Sequence, residues 1–266
     1  MNATNEGVRS LITAGIDMGV ENVKVVILEN GKILGRGKNL SGGAKRASAA
    51  EKALGDALKE AGLGREKVEK IVATGKGKFD LPFADKTVSE VVSTARAAKY
   101  LCPEATTAVD AGADETVVVT LGKRKLIDEM AISEKCAAGV GTLLRTMARR
   151  LELTMEEMNG LPPIAPDGPA VNDGCVVFAE LDALNLLFTE ATPKEIAVAL
   201  TDAAAVRVCT AVNDITNTKS SCMALFGGLA KNKAFVNALQ KYAKLDFVIP
   251  KEAEYAGAIG AACSVE

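Results

Sequence analysis

The chain has 266 residues, 48% hydrophobic and 25% charged, with 32 Lys and Arg against 34 Asp and Glu. That is enough apolar material for a core spanning more than one domain, and the charge is too balanced for a polyanion-binding surface, which argues against nucleic acid as a partner. Histidine and tryptophan are both absent. Ser-His-Asp and Cys-His sites, His-ligated zinc and any imidazole base are therefore excluded.

Acid–base work falls to carboxylates, Lys, Tyr or Cys. Soft metal ligation falls to Cys102, Cys136, Cys175, Cys209, Cys222 and Cys263. No apolar run reaches the ~18 residues of a membrane span, and residues 2–10 are polar rather than signal-like. A cytoplasmic chain with no membrane partner is expected. Its thiols would stay reduced there, favouring metal or redox use over disulfides.

In chain order, residues 1–11 are expected to form an N-terminal extension. Strands are predicted over 12–17, 23–28 and 32–37, with Asn30-Gly31 as a type I′ hairpin turn. A helix over 48–61 stops at Gly62, and a strand over 70–73 leads into Thr74-Gly75-Lys76-Gly77. A helix over 89–101 ends before Pro103. The pattern then restarts with strands over 106–110, 116–121 and 126–132, turning at Gly122. Helices follow over 138–151, 176–188 and 194–212, with a Pro-rich surface loop over 161–173. A strand over 222–226, a helix over 231–245, a strand over 247–249 and a helix over 255–263 complete the chain.

The plan β-β-β-α-β-α thus occurs twice, with insertions in the second copy. It predicts an α/β protein of two lobes, 12–103 and 104–266, facing a cleft. Each copy opens on a strand ending in an acidic residue and Gly: Asp17-Met18-Gly19 and Asp110-Ala111-Gly112. An Asp at a strand end can hold Mg²⁺ through water, and a neighbouring Gly lets backbone approach phosphate oxygens. Gly15 opens the first of these segments. A third Gly-rich turn, 226–232, contributes Gly227, Gly228 and Lys231 before a helix. Nucleotide loops of this type usually carry Ser or Thr after the first Gly. Here Val20 and Glu21 follow Gly19, so a hydroxyl contact to phosphate is lost.

Cys136 and Cys175 each sit immediately before a predicted helix. The helix dipole there stabilises a thiolate or an anionic cluster, and small neighbours let backbone N–H groups reach sulfur. Two thiolates are half of what a four-iron cluster needs, and a two-fold dimer would supply the rest. Packing as small buried hydrophobes is the reading for Cys102, Cys209, Cys222 and Cys263. On position alone it stays open for Cys136 and Cys175.

The segments GIDMG (15–19), ATGKGK (73–78), SEVVSTARAAKYLCPEA (89–105), DAGADE (110–115), KCAAGVG (135–141), CVVFAE (175–180), FGGLAKN (226–232) and YAGAIGAA (255–262) resemble the BadF/BadG/BcrA/BcrD ATPases. These are activators of 2-hydroxyacyl-CoA dehydratases and ATPase subunits of benzoyl-CoA reductase. The resemblance spans nearly the whole chain, and its specific part is the Cys-Ala-Ala-Gly and Cys-x-x-Phe-Ala-Glu pair.

It implies a duplicated actin-like, Hsp70-like and sugar-kinase-like (ASKHA, ribonuclease H-like) fold around a nucleotide cleft, the last helix packing back toward the first lobe. It implies one [4Fe-4S] cluster shared between two subunits through Cys136 and Cys175 of each, in a homodimer or a heterodimer with a homologous subunit. ATP or ADP with Mg²⁺ would be framed by Gly15, Asp17, Gly19, Asp110, Gly112, Gly227, Gly228 and Lys231. Asp17 and Asp110 would act in hydrolysis, with Glu180 as a further acid near a cluster helix. Electrons would come from ferredoxin or flavodoxin and pass to a CoA-ester reductase or dehydratase. The family's Asp-Ile-Gly-Gly-Gln-Asp motif reads Asp110-Ala111-Gly112-Ala113-Asp114-Glu115 here. With Val20, two phosphate motifs are altered, which together with the Tyr-Ala-Gly-Ala-Ile-Gly ending leans toward the ring-reductase type of subunit. A small-molecule kinase of the amino-sugar kind and a non-catalytic actin-like interaction subunit are the alternatives.

Overall fold

The computed structural model describes residues 11–133, 139–215 and 222–265. The first lobe comprises β1 (Ile12–Met18), β2 (Asn22–Glu29), β3 (Lys32–Leu40), α1 (Arg46–Ala61), β4 (Lys70–Thr74), β5 (Lys86–Thr87) and α2 (Glu90–Leu101). β1, β2 and β3 form an antiparallel meander, and β4 and β5 add in parallel beside β1, giving the order β3-β2-β1-β4-β5. The β2–β3 turn has Asn30 at φ 48° and Gly31 at φ 79°, the two left-handed positions a type I′ turn requires. Gly62 caps α1 in the same left-handed region at φ 68°.

The second lobe comprises β6 (Thr107–Ala111), β7 (Thr116–Leu121), β8 (Ile127–Ser133), α3 (Val140–Arg150), α4 (Met155–Asn159), α5 (Val176–Leu186), α6 (Pro193–Asn213), β9 (Met223–Phe226), α7 (Lys233–Ala243), β10 (Phe247–Val248) and α8 (Ala256–Ala262). Its order, β8-β7-β6-β9-β10, repeats that of the first lobe strand for strand. The duplication read from sequence is therefore a duplication of topology, that of the actin-like and sugar-kinase-like fold. Four helices, α3 to α6, stand where the first lobe has α1 alone.

Three details differ from the sequence reading. β5 is only two residues long and carries no periodic signal. α4 is a single turn fixed by a capping box, Thr154 accepting from the Glu157 N–H while the Glu157 carboxylate accepts from the Thr154 N–H. The helix expected from 231 begins at Lys233, because Asn232 caps it by accepting from the Phe235 N–H at 2.9 Å. No described helix is long and apolar enough to cross a membrane.

The lobes are tied by an exchange of helices. α2 buries Val91, Ala95 and Ala98 in the core of the second lobe, with Val109 and Val118 of its sheet. α8 returns to the first, packing Ala258, Ile259 and Ala262 against Val26 and Leu28 of β2. The approach of α8 to β1 is close enough to dictate Gly15. A Cβ at that position would lie 1.9 Å from the Ala258 carbonyl oxygen and 2.5 Å from the Ala262 N. Because β1 pairs β4 in parallel and β6 pairs β9 in parallel, the carboxyl ends of these strands open on one cleft.

Gly15→Ala is expected to lower thermal stability, at an overpacking cost of about 1–3 kcal/mol. Gly55→Ala, on the exposed side of α1 where an added Cβ meets nothing within 4 Å, should instead raise stability by about 0.5–1 kcal/mol. Thermal unfolding of the two variants checks the contrast, and equal effects would refute the packing assigned to Gly15.

Candidate functional site

A cavity of about 260 Å³ lies between the lobes. Its wall is made by the turn after β1 (Asp17, Gly19, Glu21), the turn after β4 (Gly75, Lys76), the turn after β6 (Asp110, Gly112, Asp114, Glu115) and the turn after β9 (Gly227, Gly228, Lys231). α3 adds Gly141, Leu144 and Arg145. Seven of the residues that the resemblance implicates in nucleotide binding are thus brought together. Gly15 is not: it lies beneath α8, so its small size serves helix packing rather than a ligand.

Asp17 and Asp110 end the two equivalent strands and face each other. Lys24 stands opposite Asp17 in the β1–β2 register, with Nζ 3.6 Å from its carboxylate. Burial pushes the Asp17 carboxyl above its usual range, Lys24 draws it back, and Glu90 adds to the rise. Asp110 is pushed up to about 7, first by burial and then by the charge of Asp17. Two partly buried carboxylates sharing one ammonium form a hard oxygen donor set that suits a divalent cation. Gly227, at φ 90°, brings its backbone so close that a Cβ would lie 2.5 Å from the Asp110 carboxylate.

Three sets of ion pairs cross the cleft. Glu21 pairs with Arg145 of α3, and Lys76 pairs with Glu115 at 2.6 Å. Glu254 holds both Lys38 at 2.8 Å and Lys231 at 2.6 Å. Burial works to raise Glu254, but Lys231 and Lys38 outweigh it and keep its carboxyl below the usual range. Sequence reasoning missed Lys24, Lys76, Glu90, Arg145 and Glu254. Lys24 was recoverable, since closing the β1–β2 hairpin register places it opposite Asp17. Arg145 carried no local signal, because only the placement of α3 over the cleft brings it to the wall.

The turn after β6 is packed into the start of α3. The Thr142 N–H and hydroxyl both donate to the Ala113 carbonyl, at 2.9 and 3.1 Å. A Cβ on Gly139 would lie 2.1 Å from the Asp114 carbonyl oxygen, and one on Gly141 would lie 2.8 Å from that of Gly112. Cys136 lies outside the described residues.

Cys175 is the N-cap of α5, and its N–H donates to the Asn172 side-chain oxygen at 2.7 Å. No acidic side chain occupies the first turn of α5, so the positive end of the helix is left to act on sulfur. Burial raises the thiols of Cys102, to about 11, and Cys209; both are almost fully enclosed in the second lobe's core. Glu180, expected as a further acid near a cluster helix, pairs with Arg150 and joins α5 to α3; it is not on the wall of the interlobe cavity.

The Asp110 shift has a definite sign. Its carboxyl sits near 3.8 when free and near 7 in the fold, so ionising it in place costs stability, increasingly as pH rises through 7. In nucleotide- and metal-free protein, Asp110→Asn should raise the melting temperature at pH 8, and the gain should shrink toward pH 5. A gain independent of pH, or a loss at pH 8, would refute the assignment.

The BadF/BadG/BcrA/BcrD ATPase family profile matches residues 14–264. The activator of lactoyl-CoA dehydratase from Anaerotignum propionicum is 33% identical, over 95% of this chain and 96% of its own. A benzoyl-CoA reductase subunit from Thauera aromatica is 30% identical, over 94% and 92%. The structure of the activator of 2-hydroxyisocaproyl-CoA dehydratase from Clostridium difficile with bound ADPNP superposes with a TM-score of 0.85 at 29% identity, covering 95% of this chain and 93% of that one. With both lobes, the paired aspartates and the glycine turns inside the match, the chain belongs to the BadF/BadG/BcrA/BcrD ATPase family.

Proposed function

We propose that the chain is the ATPase component of a two-part system acting on CoA esters. In this reading it binds and hydrolyses ATP in the interlobe cleft and delivers low-potential electrons to a partner dehydratase or reductase. The main support is the contact between the 112–115 turn and the first turn of α3. A phosphate that shifts Asp110 or Gly112 must shift the start of α3, which lies four residues after Cys136. Arg150 and Glu180 pass that displacement to α5, whose N-cap is Cys175. Close packing makes the transmission stiff, since no slack separates Gly139 and Gly141 from the loop.

Asp17 and Asp110 would hold Mg²⁺, which when bound offsets phosphate charge. The same two carboxylates orient water toward the terminal phosphate, and the N–H groups around Gly19, Gly112 and Gly227 bind phosphate oxygens. Lys231 and Gly228 close the nucleoside end. Cys175 suits a thiolate ligand because it stands at the N-terminus of α5, the positive end of the helix dipole. With Cys136, and with the same pair from a second homologous subunit, it would hold a [4Fe-4S] cluster, which when bound supplies one-electron transfer at low potential. Ferredoxin or flavodoxin is the donor class matched to that potential.

Anaerobic purification followed by iron–sulfide reconstitution tests the reading. A brown protein with about four irons per two chains is expected. Cys175→Ser should lose the iron, while Cys209→Ser, inside α6, should keep it. A colourless wild-type protein after reconstitution would overturn the electron-transfer assignment, and iron lost equally from both variants would overturn the ligand assignment.

A further inference from the structure

The two altered phosphate turns place acidic side chains, Glu21 and Glu115, on the cavity wall. Neither is left facing an incoming anion. Glu21 of the first lobe pairs with Arg145 of the second, and Glu115 of the second pairs with Lys76 of the first. The two pairs run in opposite senses across the same cleft. Their carboxylates are well buried, 15% and 13% exposed, and their cations are more than twice as open, at 39% and 37%. Pairs of this kind are screened less than surface pairs and hold the lobes in one relative position.

The wall also has an overall charge. Lys24, Lys38, Lys76, Arg145 and Lys231 supply five cations, while Asp17, Glu21, Glu90, Asp110, Asp114, Glu115 and Glu254 supply seven carboxylates. A polyphosphate entering this cavity finds Arg145 and Lys76 already engaged. It gains them only by taking them from Glu21 and Glu115.

Building on the ATPase reading above, we propose that Glu21–Arg145 and Lys76–Glu115 form a clasp that phosphate must displace. Bound triphosphate exchanges places with the two carboxylates as the partner of Arg145 and Lys76. The altered turns thereby make closure of the cleft and binding of phosphate compete for the same cations. Arg145 acts here as a positioning residue on α3, so the exchange acts on the helix that follows Cys136. A ligand lacking the terminal phosphate has less charge with which to draw both cations across.

A double-mutant cycle on the full chain tests this, with Mg·ATP and Mg·ADP as probes and affinity read by calorimetry. Glu21→Gln should tighten Mg·ATP binding about tenfold, and Arg145→Gln should weaken it by a similar factor. In the Arg145→Gln background, Glu21→Gln should give no gain, since the carboxylate then has no cation to withhold. An equal gain in both backgrounds would mean that Glu21 acts only through the general field of the cavity, and the clasp would fall. Both single variants weakening binding would mark the pair as merely structural. Wild-type protein that bound neither nucleotide would overturn the ATPase reading itself, and the clasp with it.

Discussion

Two carboxylates at the ends of equivalent strands, aimed at each other across one cleft, set the terms for the rest of the structure. The duplicated topology puts Asp17 on β1 and Asp110 on β6 in matching positions, so any approach of the lobes brings like charges together. Burial compounds the cost, and both carboxyls rise above their usual range. The fold answers with Lys24, delivered by the β1–β2 register, and with exchanged helices. α2 and α8 each bury their apolar faces in the opposite lobe. The hydrophobic contribution of that exchange offsets a cleft that electrostatics alone would open.

The same arrangement decides how a change at the cleft travels. A loop bearing one of the facing carboxylates is packed without clearance on the first turn of α3, where glycine at 139 and 141 is the only residue type the spacing admits. Close-packed interiors shift as units rather than deform. α3 also lines the cavity through Leu144 and Arg145 and reaches α5 through Arg150 and Glu180. The helix is therefore held at its start, middle and end by three different sets of contacts. Glu180 has its place in this chain of contacts.

Much of this was legible in the sequence, for identifiable reasons. Strand period, the Asn30-Gly31 turn and the cap at Gly62 are local signals, and they located nearly every long element. The repeat of an acidic strand end followed by Gly exposed the duplication, because each lobe must present the same loop to the cleft. The glycines were harder to assign. Gly15 and Gly19 belong to one motif, yet one lies inside β1 beneath α8 and the other lies past the strand's end on the cavity, and only the return of a helix from the far end of the chain distinguishes them. α4 was missed although its Thr154–Glu157 capping box stood in the sequence, since one turn is too short to show periodicity. The cross-cleft cations were illegible because their partners are set by lobe placement alone.

The absence of histidine takes on a different meaning beside the geometry. A site that handles phosphate near neutrality gains from a group whose protonation changes in that range, and imidazole is the usual one. Here burial and the opposing Asp17 carry Asp110 to about 7, so a carboxylate occupies the range that histidine would have filled. As imidazole does, this group would give up its proton to a bound divalent cation, which favours the ionised form. Cation entry and proton release would then be linked at one carboxylate pair, a coupling that calls for no imidazole.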